Sequence, residues 1–215
     1  MSTLENILTR IDGRVGVVQI NRPKAMNALN GPTMSEIMSA LEAYDADPAV
    51  GAMVLTGDER AFAAGAGMSL ALACDLRIMS DKAFMMQAFS NIGLIPDAGG
   101  TQRLTRAVGK TIAMEMILNA RQLTAEEALR YGLVNRVVPT ERCLGEAVRL
   151  AEEIAVRAPF AIRIAKEAVN AAFETALAEG VSLERRLFSL LFSTDDQKEG
   201  MAAFIEKRKA EWKGK

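Results

Sequence analysis

Residues 15–56 switch between two hydrophobic periods, and the switch leaves few folds open. Val15, Val17 and Ile20 lie in a β-branched run closed by Asn21-Arg22-Pro23, which reads as a strand stopped by a proline. Met34, Ile37, Met38 and Leu41 then recur at i, i+3, i+4 and i+7, so residues 33–44 are expected to form a helix with one buried face. Asp47-Pro48 breaks it, and residues 50–56 read as a second buried strand ended by Gly57-Asp58. A strand, a helix and a strand at this spacing form a βαβ unit with parallel strands, so the fold class is α/β.

Past Ala61 the residues become small: Ala63, Ala64, Gly65, Ala66 and Gly67. Such a run is by itself a tight turn, but it also lets backbone N–H groups approach a ligand closely. A short helix at 70–73, a strand at 76–79 and a further strand at 84–89 are expected. Gly99-Gly100 then opens a helix over 101–108 whose free amides favour a negative charge. The rest reads as helical: 111–118, a short helix started by the capping-box pair Thr124 and Glu127 and ended at Gly132, an extended piece at 134–139, and long helices at 141–157 and 159–192. Thr194 and Gln197 repeat the capping-box spacing before a last helix to about residue 212. The change near Glu141 separates an α/β core, 1–140, from a helical region, 141–215, expected to pack on a neighbouring subunit.

Composition removes several function classes. The 215 residues include no histidine, which excludes Ser-His-Asp triads, Cys-His dyads and most catalytic zinc sites. Cys74 and Cys143 have no partner at metal-ligand or redox spacing, which fits a reduced compartment. A net charge of -1 gives no bias toward nucleic acid or an anionic membrane. There is no run of about eighteen apolar residues to span a bilayer, and residues 1–12 carry neither a signal-peptide core nor a transit pattern. A cytoplasmic protein is expected.

Four stretches taken together resemble the crotonase superfamily, the enoyl-CoA hydratase/isomerase family: Asn21-Arg22-Pro23-Lys24-Ala25-Met26-Asn27-Ala28-Leu29, Ala61-Phe62-Ala63-Ala64-Gly65-Ala66, Leu70-Ala71-Leu72-Ala73-Cys74-Asp75, and Ile95-Pro96-Asp97-Ala98-Gly99-Gly100-Thr101-Gln102-Arg103-Leu104. The resemblance continues through 128–139 and 193–209. It implies repeated ββα turns around a core, C-terminal helices that build a homotrimer or homohexamer, and a backbone oxyanion hole for the thioester oxygen of an acyl-CoA. Main-chain donors suit a histidine-free protein, since each such donor contributes about 3–4 kcal/mol of barrier stabilisation. By the same resemblance Ala66 gives the first N–H; Lys24, Ala25, Ala28, Ala64 and Gly65 line the CoA site; and Lys207 reaches CoA phosphates. No cofactor is implied, because coenzyme A is part of the substrate.

Against the family pattern the chain departs in three places. Roughly forty residues, the size of a strand-and-helix unit, have no counterpart between Ala66 and Gly67, and Gly67 matches only the last glycine of the turn that gives the second oxyanion N–H. The two glutamates with which hydratases add water fall on Ser69 and Phe89, neither of which is a general base near neutral pH. Asp97 stands where hydratases carry glycine, as in isomerase members whose carboxylate shuttles a proton; Phe89 as an apolar wall would raise its basicity. Asp97 also fits a plain turn or an N-cap residue. The expected activity is double-bond isomerisation of an enoyl-CoA, with an altered hydratase or a non-catalytic CoA-binding scaffold as alternatives.

Overall fold

The computed structural model describes residues 4–215. β1 (Ile7–Asp12) and β2 (Val15–Ile20) form an antiparallel hairpin in register from Ile7–Ile20 to Asp12–Val15, turned at Gly13, where φ is 59°. The hydrophobic reading missed β1 because only Ile7 of its six residues is buried. α1 (Gly31–Ala46) starts where the Asn30 side chain accepts the Thr33 N–H at 3.0 Å, with Pro32 in its first turn. β3 (Ala52–Thr56) then runs parallel to β2, in register from Val15–Ala52 to Gln19–Thr56, so the expected βαβ unit is present.

Beyond the sheet come α2 (Gly67–Ala73), β4 (Ile78–Ser80), β5 (Phe84–Met85), a 3-10 turn at Ala88–Ile92, and α3 (Gly100–Leu118). α3 is interrupted at Gly109, whose φ of 76° is a left-handed value, so the two expected helices on either side of it remain distinct. β6 (Leu123–Thr124), α4 (Ala125–Arg130), β7 (Arg136–Val138) and α5 (Cys143–Ala155) follow. Both capping-box hydrogen bonds of Thr124 and Glu127 are made. β4 pairs with β7 in parallel and β5 with β6 antiparallel. The expected strand at 84–89 is therefore shorter: Phe89 lies in the 3-10 turn, which closes when Gly93 (φ 75°) donates to the carbonyls of Phe89 and Ser90.

Alternation along β2 fixes the layers. Val15 and Val17, with Val54, face Leu144, Ala147, Val148 and Ala151 of α5. Val18 and Ile20 face Ile37 of α1 on the other side. β2 is thus covered on both faces, as parallel strands require. A further core gathers Leu104, Met116, Leu123, Leu133 and Ala128. α2 joins the two: Leu70 packs with the α1 side of the sheet, while Met68 and Leu72 belong to the further core.

Residues Met1–Ala151 form one compact unit and Glu152–Lys215 another; the division falls inside α5, beyond the compositional change at Glu141. The second unit holds α6 (Pro159–Ala171), α7 (Leu177–Leu191) and α8 (Asp195–Glu206). The single helix expected over 159–192 is two. Past the end of α6 the chain closes in tight turns, Phe173 N–H to the Asn170 carbonyl and Glu174 N–H to the Ala171 carbonyl, and the Thr175 hydroxyl donates to the Ala171 carbonyl at 2.9 Å. α8 begins at the Thr194 cap and stops before residue 212, at Lys207, whose φ is 56°. The tail then folds back: Trp212 Nε1 donates to the Val156 carbonyl at 2.9 Å, and the Lys213 and Gly214 amides to the buried Asp196 carboxylate at 2.6 and 2.9 Å. Among the described residues no helix is long and apolar enough to cross a membrane.

Candidate active site

Two loops of the first unit are fastened together by Asn27. Met26 and Asn27 both take left-handed backbone, at φ 50° and 55°, a conformation asparagine tolerates better than most residues. The Asn27 side chain is fully buried; its Oδ1 accepts the Arg22 N–H at 2.8 Å and its Nδ2 donates to the Ala61 carbonyl at 2.9 Å. Ala64 N–H donates to the Met26 carbonyl at 3.1 Å, and the Arg22 guanidinium donates to the Ala28 carbonyl. Across the turn, Asp58 Oδ1 accepts the amides of Arg60 and Ala61 at 2.8 and 2.9 Å. Gly57 is needed here, since a Cβ would sit 2.1 Å from the Ala61 oxygen. The segment with Lys24, Ala25 and Ala28 is so held beside Ala64, with Lys24 and Ala25 exposed and Ala28 and Ala64 half-buried. Asn27 is part of the sequence motif, but its partners Arg22 and Ala61 are defined only by the fold.

From Ala64 the chain passes Gly65, exposed at φ 67°, into the start of α2. Leu70 N–H donates to the Ala66 carbonyl at 3.0 Å. The amides of Ala66 and Gly67 have no acceptor among the described residues, as first-turn amides of a helix do not. Gly67 itself is buried, and a Cβ on it would lie 2.6 Å from the Ala63 Cβ, so its position is set by close packing.

One turn further, Ser69 is completely buried, as is Gln87 just before the 3-10 turn. Gln87 Nε2 donates to Ser69 Oγ at 3.4 Å, and Gln87 Oε1 has no partner among the described residues. Gly100 closes this polar nook: a Cβ there would come within 2.4 Å of Ser69 Oγ and 2.8 Å of Gln87 Nε2. The start of α3 is thereby locked against α2. Phe89 is half-buried and Asp97 is exposed. The Asp97 carboxylate does not cap α3, whose N-cap is Gly99 without a side-chain bond; it is the Asp97 carbonyl that accepts the Gly100 N–H at 2.8 Å. The expected shielding of Asp97 by Phe89 is not present, because the turn through Ala98 (φ 46°) and Gly99 (φ 78°) leaves Asp97 facing water. Arg103 holds that turn with a 2.7 Å bond from Nη1 to the Ala98 carbonyl.

Lys207 lies in the second unit as the exposed C-cap residue of α8, and its neighbour Arg208 makes the ion pairs, with Glu199 and Glu206, each at 2.6 Å. A hollow of 270 Å³ in the same unit is lined by Phe160, Leu191, Met201 and Trp212. Its acid, Asp196, is already committed to the tail amides.

The model of the family described as enoyl-CoA hydratase/isomerase matches residues 10–68 and 63–215. A probable enoyl-CoA hydratase of Rhizobium meliloti is 46% identical over 252 aligned positions, covering 97% of this chain and 98% of that protein. The mitochondrial enoyl-CoA hydratase of Pongo abelii is 43% identical over 242 positions, covering 93% and 83%. A crystal structure of an enoyl-CoA hydratase subunit from Geobacillus kaustophilus superposes with a TM-score of 0.96 at 38% identity, covering 100% of both chains. With its loops, its small-residue turn and its helices all inside these matches, the chain belongs to the enoyl-CoA hydratase/isomerase family, the crotonase superfamily.

Proposed function

We propose that this member moves a carbon–carbon double bond in an enoyl-CoA. The single observation behind this reading is that neither α2 nor the 3-10 turn at Ala88–Ile92 carries a carboxylate: Ser69 is buried against Gln87, and Phe89 is apolar. Adding water across a double bond needs a base for the water and an acid for C2. Moving the bond needs one group that takes the proton from C2 of a 3-enoyl-CoA and returns it at C4. Asp97 is the carboxylate on the loop between that turn and α3 and is assigned this task; Ala66 N–H polarises the thioester oxygen while the dienolate exists. Lys24, Ala25, Ala28, Ala64 and Gly65 hold the CoA moiety on the loops that Asn27 fastens. Lys207 meets CoA phosphates from a neighbouring subunit of a homotrimer or homohexamer, whose contacts cover apolar side chains such as Leu177, Phe188, Phe204 and Ile205, exposed in the single chain. The substrate class is an acyl-CoA thioester, and the protein acts in a reduced, cytoplasmic compartment.

A second reading, hydration, is favoured by the names of the Rhizobium and Pongo relatives. Absorbance of the conjugated thioester separates the two. The expected result is rise of absorbance from a 3-enoyl-CoA and its persistence with a 2-enoyl-CoA; rapid decay of the latter establishes the hydratase. Asp97→Asn is expected to lower isomerase kcat by about 10²–10⁴-fold with little change in KM. An unchanged kcat removes Asp97 from the mechanism, and no turnover in the parent favours a scaffold.

A further inference from the structure

The turn that leads into α3 puts left-handed backbone where the sequence has an alanine. Gly100 N–H donates to the Asp97 carbonyl at 2.8 Å, and the two residues between them, Ala98 and Gly99, have φ 46° and 78°. A tight turn with positive φ at both central positions ordinarily takes glycine, asparagine or aspartate there. Gly99 meets that demand freely, but the Cβ of Ala98 crowds the backbone. A strained residue of this kind persists only where its surroundings hold it.

On its inner side the turn is held by shape: a Cβ on the buried Gly100 would meet Ser69 Oγ, Gln87 Nε2 and Pro96 Cβ at 2.4, 2.8 and 3.1 Å. On its outer side Arg103 Nη1 donates to the Ala98 carbonyl itself at 2.7 Å. To reach it the guanidinium crosses Gly99, where a Cβ would lie 2.2 Å from Nη1 and 3.0 Å from Cζ. Gly99 is therefore required by this crossing as well as by its φ. Arg103 makes no ion pair among the described residues. It stands near the start of α3, where the helix dipole disfavours a cation. Neither an ion pair nor helix stability accounts for an arginine at this position; the bond to Ala98 does.

We propose that Arg103 is a positioning residue of the reaction: its bond to the Ala98 carbonyl holds Ala98 in left-handed backbone and so fixes the orientation of Asp97, the residue before it. This rests on the assignment of Asp97 as the proton carrier. Without the bond Ala98 relaxes toward the ordinary backbone regions, the chain direction changes between Asp97 and Gly100, and the hydrogen bond from Gly100 N–H to the Asp97 carbonyl opens. Arg103 touches neither the substrate nor the reacting atoms in this role; it acts through the turn.

The test compares the full chain with Arg103→Met and with Arg103→Met combined with Ala98→Gly. Arg103 is exposed, so the single variant is expected to fold with a Tm near the parent's. In it, hydrogen exchange of the Gly100 amide should quicken about 5–30-fold. Turnover number with a 3-enoyl-CoA should fall by a similar factor while KM changes little. Adding Ala98→Gly should restore most of kcat, because glycine keeps the left-handed form without a clamp. That recovery separates positioning from charge, which the second substitution does not return. Unchanged Gly100 exchange, unchanged kcat, or a fall in kcat that Ala98→Gly leaves in place overturns the proposal. An inactive parent, or an Asp97→Asn variant as active as the parent, sinks the proposed isomerisation instead, and Gly100 exchange alone then decides whether Arg103 holds the turn.

Discussion

The stretch from β1 to β3 and the stretch from α2 to β7 build their cores by different means. The first has strands of five or six residues with regular register, and its apolar side chains sort onto two faces by strict alternation. The second has strands of two or three residues and relies on helices, with Leu104, Met116 and Leu133 all at 0% exposure. Where strands are long, pairing and burial agree and the sequence period reveals both. Where they are short, side chains of α3 and α4 supply the cohesion and strand pairing follows it. α2 packs into both cores, and so Ala66, Gly67 and Ser69 lie at their seam.

The largest expected effects come from emptying one core at a time. Ile37→Ala and Leu104→Ala should each cost about 2–5 kcal/mol. If the stretches fold together, urea unfolding followed by fluorescence and circular dichroism will show one shared transition, shifted by either variant. Two transitions, each moved by one variant only, would separate them. Asn27→Ala comes next. It leaves the Arg22 amide without its acceptor, a loss of about 1–3 kcal/mol, removes one of the two bonds of the Ala61 carbonyl, which keeps the Asp58 N–H at 3.1 Å, and puts alanine at φ 55°. The expected signature is weakened acyl-CoA binding by calorimetry out of proportion to the change in Tm; normal binding would mean that the two loops hold their arrangement without this side chain.

The smallest effect concerns the tie between the stretches. Arg149 and then Arg136 hydrogen-bond Glu146 and hold its carboxyl at about 2, below the ordinary 4.5. Arg136 is on β7 and Glu146 on α5, which covers the sheet, with N–O at 2.6 Å. A carboxyl lowered in the folded state adds stability above its unfolded value, and that stability is lost as pH falls from about 4.5 toward 2. Glu146→Gln should lower Tm slightly at pH 7 and flatten its decline over that window; an unchanged acid limb would show that the pair does not couple α5 to β7.

The sequence by itself determined the βαβ unit, the break at Gly109, the Thr124 cap and the family. Each is written in local signals: hydrophobic period, a glycine that tolerates left-handed backbone, a hydroxyl three residues before a glutamate, or motifs in fixed order. Tertiary structure decided the rest. β1 has one buried residue and becomes a strand only because β2 offers an edge. Residues 88–92 leave the extended form because Gly93 closes a turn, and 159–192 split because Thr175 competes for a helix carbonyl. Asn27 gains its importance from Arg22 and Ala61, the latter 34 residues away in sequence. Burial of Ser69 and exposure of Asp97 likewise depend on how α2 and α3 meet. Local periodicity sets which face of an element is apolar; which distant group arrives at that face is settled only when the layers pack.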